Sequence, residues 1–141
     1  MKLKRNFTIA VAMTAAAAFA GTAAAETELV VVSWGGAYSA SQQSAYHDPY
    51  MKANPGIKIV NDDSAPEAVA KLRAMNEVGK VTWDLVDAVA SDAMRLCDEG
   101  LALPINADKD LAPAPDGTPA SKDFGDLLVS ECFIPQIVYS T

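Results

Sequence analysis

Histidine is almost missing from this chain: His47 is the only one in 141 residues. A helical histidine pair for metal binding is therefore excluded, and imidazole acid–base chemistry would hang on one side chain. Cysteine is as scarce, with Cys97 and Cys132 alone. Two thiols so far apart make a poor zinc site, which takes four ligands, usually as close pairs. Positive charge is short too, with 11 Lys and Arg against 18 Asp and Glu. Such a balance does not supply the basic patch that nucleic acid or an anionic membrane demands. No G-x-S-x-G nucleophile elbow is present, and the Gly35–Gly36 pair is not followed by the Gly-Lys-Ser/Thr of a P-loop. Catalysis would have to rest on carboxylates. Asp62–Asp63 and Asp98–Glu99 read more simply as solvated charges near helix ends. The sequence thus predicts no catalytic residue, no metal and no cofactor.

What is present begins with an export pattern. Lys2, Lys4 and Arg5 precede an uncharged, Ala-rich stretch from Phe7 to Ala20, and Ala23-Ala24-Ala25 before Glu26 fits a signal-peptidase site. Residues 1–25 are expected to be a cleavable signal peptide. The alternative, a retained anchor, lacks the Leu, Ile and Val density of a stable span, and no cysteine follows for lipidation. Beyond residue 25 there remain 8 basic against 18 acidic residues, a formal charge of −10. In an exported chain, Cys97 and Cys132 fit a disulfide, the alternative being two buried free thiols.

Residues 26–141 alternate short apolar runs with amphipathic stretches. Leu29–Val32 reads as a strand buried on both faces. A turn at Ser33-Trp34-Gly35-Gly36 leads to a helix over 39–53, capped by Ser39 or Ser41 and stopped by Asn54-Pro55-Gly56. Ile57–Val60 is a second strand. Ser64-Ala65-Pro66-Glu67 combines a capping box with an early proline, opening a helix that Gly79 ends. Leu85–Val89 is a third strand, followed by a helix from Ser91 to Glu99 with Gly100 after it. This order predicts an α/β fold with a mostly parallel sheet and flanking helices. Residues 106–121, rich in proline, read as an irregular loop, Asp123–Ser130 as a short helix, and Phe133–Tyr139 as strand-like after Pro135.

In parallel sheets, ligands sit beyond the carboxyl ends of the strands. That rule selects Ser33 to Tyr38 after the first strand, with Trp34, Gly35, Gly36 and Tyr38 as the candidate contacts, and Ala90 to Asp92 after the third, with Ser91 and Asp92. The glycines admit close backbone approach, while Trp34 and Tyr38 offer flat faces to a cation or an apolar chain. The plainer alternative is a strand-to-helix turn with Trp34 packed in the core. His47 is expected on the solvated side of its helix.

The series Leu29–Tyr38, Pro49–Ile59, Trp83-Asp84-Leu85-Val86-Asp87, Cys97–Leu101 and Glu131-Cys132 to Thr141 resembles ABC-transporter solute-binding proteins of the spermidine/putrescine-binding type. The resemblance implies a two-lobed type II periplasmic binding protein without enzymatic activity, monomeric at full length, that delivers solute to an inner-membrane ABC permease. Residues 26–141 would be an incomplete N-terminal lobe ending at the hinge strand, with Tyr139 and Thr141 at the hinge. Trp34 matches the family aromatic that lines the solute cleft, and Tyr38 a nearby one. Ser91 and Asp92 fall near the second contact loop, where the residues depart from the polyamine pattern. A polyamine is the expected solute. The same class with an organic anion, an amino-acid derivative or ferric iron, an exported carboxylate-dependent enzyme, and a secreted adhesion module are the alternatives.

Overall fold

Valine, leucine and isoleucine build the centre of the fold. In the computed structural model, which describes residues 26–136, strand β1 (Thr27–Val32) lies between β2 (Ile57–Asp62) and β3 (Leu85–Val86), all parallel. The register sets Leu29 beside Ile59 and Val31 beside Leu85. The pleat then turns these four to one face of the sheet, and Val30, Val32, Val60 and Val86 to the other. Val31 and Val32 are buried, as expected of a central strand. The expected signal peptide (1–25) and the hinge residues Tyr139 and Thr141 lie outside the described residues.

The first helix starts earlier than its serines suggest. It runs as α1 (Gly36–Gln42), a π turn (Gln43–His47) and α2 (Asp48–Ala53), with Gly35, not Ser39 or Ser41, at its N-cap. Gly35 and Gly36 both have positive φ (81° and 54°), so the chain turns from strand into helix within three residues. The capping box at Ser64 is not formed. Ser64 Oγ accepts from Lys71 Nζ instead, and Pro66 sits in a 3-10 turn (Ala65–Glu67) that leads into α3 (Ala68–Glu77).

The third strand is shorter than expected, though Asp87 N–H still donates to Val32 O. Ahead of it, Asp84 bonds both polar groups of Val30: its N–H reaches Val30 O, and its Oδ2 accepts from Val30 N–H at 2.8 Å. A side chain thus replaces a missing ladder bond. Helix α4 (Ala90–Asp98) is capped by Val89, with Ser91 inside the first turn. Gly79 and Gly100, at φ 65° and 68°, close α3 and α4 as expected.

Residues 106–121 are not wholly irregular. Asn106 Oδ1 accepts from Lys109 N–H and caps α5 (Ala107–Asp110), and Ser121 already belongs to α6 (Ala120–Phe124). The helix expected over 123–130 is replaced by the end of α6 and a 3-10 turn (Gly125–Leu127).

Leu72 of α3 and Leu96 of α4 are both buried, a transfer worth about 1.5–3 kcal/mol each. Among the described residues no helix is long and apolar enough to cross a membrane. Cys97 of α4 is bridged to Cys132, closing a separation of 35 residues. The bridge ties the segment after α6 to helix α4, helped by Ile105 N–H donating to Glu131 O. Replacing both cysteines by serine is expected to cost about 2–4 kcal/mol by loop entropy. Urea unfolding in oxidising buffer checks this, and an unchanged midpoint would contradict it.

Candidate functional site

Ser33, the first residue past β1, has no exposed surface. Its N–H donates to Asp62 O at the tip of β2, and its carbonyl accepts from Ala65 N–H. On the other side its Oγ lies 2.5 Å from Gln42 Oε1 and 3.2 Å from Asp87 Oδ2. The hydroxyl has one proton, which goes to the nearer Gln42 oxygen. Gln42 Nε2 then donates to Asp87 Oδ2 at 2.7 Å. The carboxylate can only accept, so this amide orientation satisfies all three groups. A strand tip, a helix and the neighbouring strand tip are joined by one polar network.

A second network holds the same loop from the β2 side. Gly35 N–H donates to Ser39 Oγ at 2.9 Å, and Ser39 Oγ donates to Asp63 Oδ1 at 2.7 Å. Asp62 accepts from Trp83 Nε1 at 3.1 Å. Asp62 and Asp63 are therefore not the idle solvated charges that their sequence context suggested. Glu99 is engaged as well, in an exposed ion pair with Arg73 that holds its carboxyl below the usual range.

Trp34 sits between the two networks and is 39 % exposed. It is not packed in the core. Tyr38 is half-buried on α1, and its hydroxyl donates to Gln136 Oε1 at 3.0 Å. Burial, then the charge of Asp87, then Tyr46, push this phenol above the ordinary tyrosine value. Ser91 and Asp92 follow Asp87 into α4. Asp92 pairs with Arg95 at 3.7 Å, and among the described residues no hydrogen bond links Ser91 or Asp92 to residues 34–38. The residue of the β3 tip that meets the first loop is Asp87, which the sequence reading passed over, along with Gln42 and Gln136; Ser33 was read as part of the turn and Asp63 as a solvated charge. Ser33, a polar residue immediately after a strand run, was an available signal, whereas Asp87 lay inside the expected third strand.

His47 is buried, not solvated, with Nδ1 3.4 Å from Gln43 Oε1. The π turn rotates it toward the sheet. Between the face carrying Leu29 and Val31 and the helix side chains Tyr46 and His47, a cavity of about 540 Å³ extends to Asp87 and Gln136.

Two outcomes are expected. Gly35 adopts φ 81°, ψ −179°, a region open essentially to glycine alone, and an added Cβ would lie 3.3 Å from Asp63. Gly35→Ala should therefore cost about 1–3 kcal/mol, seen as a lowered Tm, whereas an unaltered Tm would contradict the clamp. For Tyr38, the folded state holds its proton more tightly than the unfolded chain. Its stabilising effect is thus complete below the unfolded tyrosine pKa of about 10 and is lost as pH rises through the folded value. Absorbance titration against Tyr38→Phe should show Tyr38 ionising later than an ordinary tyrosine, and Asp87→Asn should bring it earlier.

Residues 45–141 match the family model described as bacterial extracellular solute-binding protein. Over 124 residues the chain is 37% identical to a gamma-aminobutyric acid-binding protein of Pseudomonas aeruginosa, a match covering 87% of this chain and 32% of that protein. The chain thus spans about a third of that relative's length. Among solved structures, PBP AgtB from A. tumefacien R10 in complex with agropinic acid is 34% identical with a TM-score of 0.49, covering 59% of this chain and 26% of that one.

Proposed function

The chain belongs to the bacterial extracellular solute-binding protein family, and from that membership we propose that it forms part of the solute-capturing component of an ABC importer. In this reading residues 1–25 direct export to the periplasm, and the mature protein binds a small molecule without changing it. Capture takes place on the loops beyond β1 and β3, and closure of a second lobe over them presents the complex to the permease.

The observation that carries this reading is the relay from Ser33 through Gln42 to Asp87, which fixes two strand tips side by side beneath an exposed tryptophan. The solute class that best suits these loops is a short aliphatic chain ending in a primary ammonium. Polyamines, favoured by the sequence resemblance, share that group with gamma-aminobutyric acid, which names the 37% identical relative. An indole face attracts an ammonium by roughly 0.5–2 kcal/mol, and the carboxylates at the strand tips add charge of the right sign.

Other solutes are less well supported. An anion at the glycine pair would find one donor fewer, because Gly35 N–H already donates to Ser39. Ferric iron would need a tyrosinate, and the Tyr38 hydroxyl is engaged with Gln136 instead. Tyr38 and Gly36 remain candidate contacts beside Trp34, with Ser91 and Asp92 at the margin.

Calorimetry on the full-length protein with gamma-aminobutyric acid and spermidine tests the reading. Trp34→Ala should weaken binding of the preferred amine by roughly 2- to 30-fold, the equivalent of one cation–π contact. Unchanged affinity would remove Trp34 from the site.

A further inference from the structure

We propose that Asp63 is a positioning residue for solute binding: acting through Ser39, it holds Gly35 and so sets the direction of the Trp34 ring. The inference rests on the reading of Trp34 as a solute contact.

The direction of the relay is dictated by chemistry. Asp63 can only accept, so the single Ser39 proton must point at Asp63 Oδ1, 2.7 Å away. The lone pairs of Ser39 Oγ are thereby left to Gly35 N–H, at 2.9 Å. Without the carboxylate the hydroxyl is free to rotate, and its proton competes with the one Gly35 offers. Bonds to an ionised acceptor are about twice as strong as neutral ones. Ser39 is itself buried, which shields the relay from water.

Asp63 is well placed to act as a buttress. It follows directly on β2, whose last residue, Asp62, takes the Ser33 N–H at 2.7 Å. The Asp63 side chain also packs against Gly35, at 3.3 Å from where a Cβ would stand. Trp34 is thus the one residue of a three-residue connection whose two neighbours are fixed, Ser33 by burial and Gly35 by the relay. Loosening Gly35 frees the backbone on one side of the indole. A binding-competent ring direction is then populated only part of the time, and apparent affinity falls by that fraction.

The test uses the full-length protein labelled with 5-fluorotryptophan, the Trp34 resonance being assigned by its loss in Trp34→Phe. Asp63→Ala should shift and broaden that resonance and weaken gamma-aminobutyric acid or spermidine binding about tenfold, as expected if roughly a tenth of molecules keep the competent loop. Asp63→Asn keeps an Oδ1 acceptor and should restore a sharp resonance and an affinity within about threefold of the parent, since it retains the neutral bond. A resonance unmoved by Asp63→Ala, or an Asp63→Asn variant as impaired as the alanine one, overturns the proposal. Affinity unchanged in Asp63→Ala while Trp34→Ala lowers it overturns the positioning role alone. Affinity unchanged in both variants overturns the solute contact of Trp34, and the role of Asp63 with it.

Discussion

Burying a serine at the end of a strand has consequences for everything around it. Ser33 has no exposed surface, and an unsatisfied hydroxyl there would cost about 1–3 kcal/mol. Its backbone is answered by Asp62 and Ala65, and its hydroxyl by Gln42, whose amide in turn bonds Asp87. Those partners come from the β2 tip, the turn after it, the first helix and the β3 tip. Satisfying one small polar group therefore fixes how three strand ends and a helix meet. The residue after it, Trp34, is left facing outward on a rigid mount.

That mount is electrically one-sided. Asp63 stands on its β2 side and Asp87 on its β3 side, while Lys71 is drawn away to Ser64 and the Trp83 ring. A cation approaching the strand tips meets an aromatic face flanked by carboxylates that are already held in place by hydrogen bonds. In the proposed reading little reorganisation would be needed on binding, which is where a preorganised site gains affinity. The same hydrogen bonds tie up Gly35 N–H, so the turn is less suited to anions than its glycines alone suggest.

Much of the architecture was legible in the residues. Leu29–Val32, Ile57–Val60 and Leu85–Val89 announce parallel strands by their apolar, largely β-branched density, although the third ends at Val86, and Gly79 and Gly100 mark helix ends by the positive φ they supply. The cysteines are joined as an exported pair would be. What failed was local polar chemistry. Ser39 looked like a cap because serine often is one, yet its hydroxyl is turned back to Gly35 by Asp63, a residue 24 positions away. His47 looked solvated because an ideal helix would place it so, and the π turn at Gln43–His47 rotates it inward. Asp87 looked like one more strand residue, and its role emerges only when β1 and β3 lie side by side. Long-range pairing decides each of these, and pairing is what a single sequence leaves open. Trp34 was identified as a candidate contact from its place after a strand, whereas the clamps around it were not.

Solute capture at the strand tips is tested most directly by hydrogen exchange of the full-length protein with and without gamma-aminobutyric acid or spermidine. The account predicts slowed exchange on solute addition in the peptides covering residues 33–39 and 87–92 together. Protection confined to other segments, with both of these exchanging as in the free protein, would contradict it.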